Sequence, residues 1–284
     1  LGISDKKIRR RSMTRDVRAS IAPEDSRDDV AAASPLRGLA ALLDYDAEPW
    51  PAPWVPPLGH WLYFPPHARQ SALGPDGHPA VSPDLPPRRM WAGSRIRFLA
   101  PIPIGVELRR DTSVMTITEK TGRSGPLLFV TVRHAVFSRG TALLLEEQDL
   151  VYRNISLGAA VAAEPAAPPS DPADQSRSLT LDATALFRFS ALTFNAHRIH
   201  YDRDYATSVE GFPGLVVQGP LLATLLLDLA RRKRGEPVPS QFSFRAKAPV
   251  FAGDPLRLCL RMVGSRTRLW AESLGRVAVE AEMS

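Results

Sequence analysis

RFLAPIPIGVELR (residues 97–109) and RAKAPVFAGDPLR (residues 245–257) carry Arg, Ala, Pro, Gly, Leu and Arg at matching positions, all 148 residues apart (249 − 101 = 148). In each, an apolar strand runs through Ala-Pro into a glycine turn, and three further strand-like segments follow. Such a repeat predicts two copies of one α+β unit, each built on an antiparallel sheet. Strands are expected at roughly 94–99, 106–119, 127–138 and 141–153, with turns at TGRSG and SRG, and again at about 241–250, 255–264, 267–273 and 276–283.

The helices are fewer. VVQGPLLATLLLDLARRKRG (216–235) reads as a strand end running into an apolar helix over 219–234, with basic residues in its last turn and Gly235 behind it. Subtracting 148 places its counterpart at 71–86, inside a proline-rich region (49–87) broken by GPDGHP. Proline excludes a long helix there, so the first copy is expected to lack its central helix and to leave apolar sheet surface for something elongated to cover. SPLRGLAALLDYD (34–46) predicts a short helix with Ser34 as cap, Pro35 in the first turn, and Leu36, Leu39, Ala40 and Leu43 on one face. A second short helix is expected near Asp182–Leu192. The domains are then a basic tail (1–33), a degenerate first unit (34–158), an Ala/Pro-rich linker (159–178) and a second unit (179–284).

Charge and composition remove several function classes. The net charge of +6 is mostly local. Residues 1–18 hold Lys6, Lys7, Arg9, Arg10, Arg11, Arg15 and Arg18 against Asp5 and Asp16, which is +5 and leaves about +1 for the rest. No nucleic-acid partner is expected, and DKKIRRRS reads as a solvated tail. The single cysteine, Cys259, excludes an intramolecular disulfide and a multi-thiolate metal site, and LRLCLRM reads as packing. No apolar run reaches the ~18–20 residues of a membrane span. Leu1 is not a natural start, so residues are expected ahead of it. With no secretory apolar region, the expected location is a bacterial cytoplasm, with the mitochondrial matrix second.

Chemistry concentrates in FSALTFNAHRIHYD (189–202). One reading is a polar turn with Asn195 capping it. Another is a metal site of His197 and His200 with Asp202 or Asp204, but nothing else supplies ligands at recognisable spacing, so no metal is expected. A third is acid–base catalysis, because histidine exchanges protons near neutral pH. Gly219 and Pro220 then open an apolar helix, whose free N–H groups and positive dipole end suit a thioester oxygen gaining charge. GxSxG, P-loop and GxGxxG motifs are missing, which leaves serine-hydrolase and nucleotide readings without support.

These residues resemble the MaoC-like hydratases and dehydratases, whose motif runs approximately SGDxNPLHxD with a later HG before the central helix. His200 falls on the motif histidine, Asp202 on the trailing aspartate, Asn195 on the catalytic aspartate, and Gln218-Gly219 on the HG. WLYFPP, PPRRMWAG, GRSGPLLFVTVRH and FRFSALTFNAHRIHYD resemble the double-hot-dog branch, which includes mesaconyl-CoA and itaconyl-CoA hydratases and fungal mitochondrial 3-hydroxyacyl-thioester dehydratase. The resemblance covers roughly 35–284. It implies a double hot-dog fold with the central helix kept in the second unit. It also implies a hydro-lyase acting on the α,β double bond of a coenzyme A or acyl-carrier-protein thioester, with no cofactor and a homodimeric assembly.

Within that resemblance His200 is the expected acid/base, Asn195 orients water because its amide cannot take a proton, and His197 is a candidate to share proton transfer. Gly219 N–H would hold the thioester oxygen, and Gln218 is a substrate-binding candidate. A branched C4 dicarboxylic substrate would need an arginine, with Arg198, Arg89 and Arg88 as candidates; Trp91 reads as packing. The alternatives are a medium-chain 3-hydroxyacyl-thioester dehydratase and a non-catalytic acyl-thioester binding subunit.

Overall fold

The computed structural model describes residues 25–79, 85–122, 125–154, 172–234 and 239–284. The basic segment 1–18, most of the stretch read as a linker, and Gly235 lie outside the described residues. The strands are β1 (Asp25–Val30), β2 (Arg88–Phe98), β3 (Glu107–Gly122), β4 (Gly125–Ser138), β5 (Thr141–Arg153), β6 (Gln175–Thr180), β7 (Gln241–Ala246), β8 (Pro255–Val263), β9 (Arg266–Ser273) and β10 (Arg276–Met283). The helices are α1 (Ala33–Leu42), α2 (Ala183–Thr193) and α3 (Gly219–Arg234). All ten strands form one antiparallel sheet in the order β1-β3-β4-β5-β2-β7-β10-β9-β8-β6. Reading outward from the β2–β7 seam gives the same strand sequence on both sides. This is a double hot-dog of α+β class.

The repeat extends to single hydrogen bonds. Gly105 N–H donates to Ala31 O at 2.8 Å, and Gly253 N–H to Leu181 O at 2.9 Å. Both glycines sit at left-handed φ (+91° and +92°) with open space where a Cβ would be, so backbone conformation alone selects glycine at the shared turn. Likewise Val55 N–H bonds Ile102 O and Val217 N–H bonds Val250 O, while Trp54 bridges Pro103 as Val216 bridges Phe251.

This second set corrects the register of the missing helix. Val55 is the counterpart of Val217, 162 residues apart, so the place of α3 in the first unit is taken by residues after 55 and not by 71–86. Only two short 3-10 turns, Gly59–Leu62 and Gln70–Ala72, form there. Trp50, Val55, Leu58, Leu62, Tyr63 and Phe64 are buried in the common core, so the sheet surface expected to lie open is covered in that part by the chain itself. Residues 73–79 are therefore an insertion, and they run across to the second unit.

Two polar strands escaped sequence reading. DSRDDV (β1) lies inside the stretch read as a tail, and QSRSLT (β6) straddles the end of the stretch read as a linker. Both are edge strands whose residues alternate between half-buried and exposed, so tertiary pairing overrides their low strand propensity. Helix α1 begins at Ala33 after Ala32, which makes no side-chain cap, so Ser34 lies within the helix and does not cap it. Asp182 does cap α2, accepting from Ala185 N–H at 2.8 Å.

Helix α3 buries Leu221, Leu222, Leu225, Leu226 and Leu229 against the sheet. Its one buried acid, Asp228, pairs with Arg231 (2.9 Å) and Arg232 (2.7 Å) and accepts from Tyr45 Oη (2.9 Å). Arg231 and Arg232 also donate to Pro49 O and Leu43 O, which ties the helix to the first unit. Among the described residues, no helix is long and apolar enough to cross a membrane.

Candidate active site

The FSALTFNAHRIHYD segment follows α2. Phe194 ends that helix in the left-handed conformation, and Asn195 N–H bonds back to Ser190 O at 2.8 Å. Asn195 Oδ1 accepts from His197 N–H (3.1 Å), closing an Asx turn that hands the chain into a 3-10 turn, Arg198–His200. Val216 N–H donates to Ile199 O (2.9 Å), and His200 Nδ1 lies 2.7 Å from Val216 O. These two bonds staple the histidine turn to the segment that enters α3 three residues later at Gly219.

A carbonyl only accepts, so His200 Nδ1 carries the proton and Nε2 carries the lone pair. Burial pushes the His200 imidazole down to about 4, partly opposed by the Val216 bond. The ring is neutral at pH 7 with its tautomer fixed. His197 is held near 2, by burial first and then by neighbouring His78 and His200. Its ring, too, is neutral at pH 7. Gly219 N–H makes no hydrogen bond among the described residues, and a Cβ there would meet only ordinary contacts from Phe244 and the Trp91 carbonyl at 4.0 Å. Neither space nor φ demands glycine at this helix start. A free donor at the positive end of a 16-residue helix can accept developing negative charge.

Two groups were not singled out from the sequence. The GPDGHP loop of the inserted segment lies against the histidine turn, with Arg198 N–H donating to Asp76 O (2.9 Å) and Arg198 Nη1 to Pro75 O (3.0 Å). Gly77, at φ +89°, is so close that a Cβ would stand 1.9 Å from Ala196 O. His78 is thereby brought against His197, ring centroids 4.3 Å apart with the planes tilted by 45°, while His197 is 5.4 Å from His200. Asp76 Oδ2 holds His78 Nδ1 at 3.2 Å. Burial alone would raise the Asp76 carboxyl, but bonding and charge from His78 hold it below the usual range, and burial pushes His78 below 6.5. The only signal in the sequence was the loop itself, which reads as a plain Gly-Asp-Gly turn.

Asp76, His78 and His197 also have the spacing for a metal, their ligand atoms lying within 4.8 Å of one another. This set differs from the one weighed on sequence, because Asp202 is engaged elsewhere. It pairs with Arg198 (2.7 Å) and accepts from Tyr205 N–H (3.0 Å).

The other candidates divide. Gln218 is buried at 1% exposure, and its Nε2 donates to Leu186 O (2.9 Å) and Ser190 Oγ (3.0 Å), which locks α2 to the start of α3, while its Oε1 is buried without a partner among the described residues. Arg88 is paired with Glu210 (3.0 Å), and Arg198 with Asp202 while stacked 4.2 Å above Tyr205. Arg89 has no carboxylate partner among the described residues. Trp91 packs edge-on with Trp61 (5.3 Å) and against Phe244 (6.0 Å), as packing was expected. Cys259 is fully buried, with burial pushing its thiol up to about 11.

Comparison with known proteins places this geometry. The family model described as "Hydroxyacyl-thioester dehydratase type 2" matches residues 58–252. The chain is 46% identical to mesaconyl-C(4)-CoA hydratase of Chloroflexus aurantiacus over 88% of its own length and 90% of the relative's. Its fold matches a MaoC-like dehydratase of Phytophthora capsici, with a TM-score of 0.71 at 17% identity over 95% of this chain and 97% of the other. It also matches a Mycobacterium tuberculosis protein described as a double hotdog, with a TM-score of 0.57 at 16% identity over 93% and 96%. The chain belongs to the hydroxyacyl-thioester dehydratase type 2 family.

Proposed function

We propose that this protein is a hydro-lyase that adds water across the α,β double bond of an enoyl-CoA of the mesaconyl-C4 type, or runs the reverse. One observation carries the reading: a neutral His200 has its tautomer fixed by Val216 O, three residues before the Gly219 N–H that opens α3 and makes no hydrogen bond among the described residues. The 46% identity to a mesaconyl-C(4)-CoA hydratase supports the substrate.

In hydration, the water oxygen bonds to the β-carbon and its proton passes to His200 Nε2. The π electrons move toward the thioester oxygen, which the Gly219 N–H stabilises as an enolate. The imidazolium then gives that proton to the α-carbon, restoring the neutral ring and completing the addition. Asn195, unable to take a proton, orients the water by hydrogen bonding. The thioester activates its own β-carbon, so this chemistry asks for no metal or redox group.

The family's name favours a second reading, a 3-hydroxyacyl-thioester dehydratase of fatty-acid metabolism. A panel of mesaconyl-, itaconyl-, crotonyl- and longer enoyl-CoAs separates the two. Preference for the branched dicarboxylic thioesters supports the first, preference for longer monocarboxylic chains the second, and turnover of none points to a binding subunit. A cytoplasmic, homodimeric enzyme belongs to the same proposal, tested by fractionation and light scattering.

A further inference from the structure

The arginines near the site differ in what they are already doing. Arg88 is spent on Glu210 and the carbonyls of Val209 and Glu210, and Arg198 on Asp202 and Pro75 O. Arg89 is half-buried on β2 and lacks a carboxylate partner among the described residues. It is in cross-strand register with Tyr152 on β5, so the two side chains leave the same face of the sheet.

Tyr152 is fully buried in an apolar cluster with Leu85, Val114, Leu128, Val130 and Val132, and its hydroxyl proton has no acceptor among the described residues. Arg89 stands beside it, but a guanidinium has no lone pair to receive the phenolic proton. The Arg89 charge also reaches the site itself, since it lowers the proton affinity of both His78 and His197. A cation without a counter-ion and a buried hydroxyl without an acceptor are both completed by one group, a carboxylate. Its two oxygens can accept from the guanidinium fork and from the phenol together.

We propose that Arg89 and Tyr152 form the receptor for a free carboxylate at the far end of the acyl chain. The substrate class is then a short, unsaturated dicarboxylic acid joined to its carrier through one carboxyl only. This rests on the hydratase reading above and deepens it. The apolar cluster around Tyr152 would pack the carbon chain, while Arg89 fixes which end points away from Gly219. A monocarboxylic acyl chain of equal length would leave both polar groups unpaired, and that is the source of selectivity.

The test is the ratio of kcat/KM for mesaconyl-C4-CoA to that for crotonyl-CoA, measured in wild type, Arg89→Gln, Arg89→Lys and Tyr152→Phe. Wild type is expected to favour the dicarboxylic substrate by ~10²-fold or more, in line with a site built to bond a specific polar group. Arg89→Gln should bring the ratio close to unity, Arg89→Lys should restore part of it, and Tyr152→Phe should lower it by about tenfold. Because the readout is a ratio, a variant with impaired folding still reports selectivity. A ratio unchanged in Arg89→Gln, or rates that fall equally for both substrates, would overturn the receptor and leave the hydratase reading standing. A wild type that hydrates neither substrate would sink both.

Discussion

His200 Nδ1–H donates a hydrogen bond to the Val216 carbonyl at 2.7 Å, and that single bond decides which ring nitrogen can take a proton from water. Burial depresses the imidazole to about 4, so the base is neutral, and active, at every pH above that value. In the hydration direction kcat/KM should stay level down to about pH 5 and fall through about 4. An acid limb centred on 6.5, the value of an unperturbed imidazole, would contradict the assignment. His200→Ala should lower kcat by at least ~10²-fold with little loss of fold.

Asn195→Asp keeps the oxygen that accepts from His197 N–H, and it adds a carboxylate able to hold a proton. Activity should be retained or altered in its pH profile. Asn195→Ala loses the Asx turn and, with it, the proposed orientation of water, and should be severely impaired, by about 10²-fold in kcat. His197→Ala should leave the acid limb in place, because a ring held near 2 carries no proton in the working range.

The Asp76–His78–His197 group has metal-ligand spacing, but the proposed chemistry needs only hydrogen-bond donors and a proton shuttle. Exhaustive chelation is therefore expected to leave full activity. Inactivation by chelator with recovery on adding a divalent ion would show that these three side chains hold a working metal.

Glu146 tests the first unit's stability. Burial would raise this carboxyl, but His60, His134 and Ser94 outweigh it and hold it at about 2, against an ordinary 4.5. A depressed folded value stabilises the protein above pH 4.5, and the stabilisation is lost as pH falls from there toward 2. Unfolding free energies from denaturant titrations should therefore drop more steeply over that window in wild type than in Glu146→Gln, by at most ~1.4 kcal/mol per pH unit. Equal slopes in the two proteins would remove Glu146 from this role.

The repeat around Ala-Pro and the apolar run after Gly219 made the double sheet and its single long helix legible, because periodicity and proline report backbone geometry directly. The histidine turn was legible as a cluster, since polarity between apolar segments has few innocent causes. β1 and β6 were not, because edge strands built of Asp, Ser and Arg owe their form to pairing partners far along the chain. Asp76 and His78 were hidden for the same reason. Nothing in GPDGHP says that Gly77 will press against Ala196, some 120 residues later. The roles of Gln218, Arg88 and Arg198 in packing and ion pairs also depend on partners that only the fold brings near.

The most direct test is the loss of enoyl-thioester absorbance when mesaconyl-C4-CoA is mixed with wild type and with His200→Ala. The expected result is rapid, catalytic decay to the hydrated thioester with wild type and at least ~10²-fold slower decay with the variant. Equal rates in both proteins, or no decay with wild type on this or any other enoyl-CoA, would contradict the account.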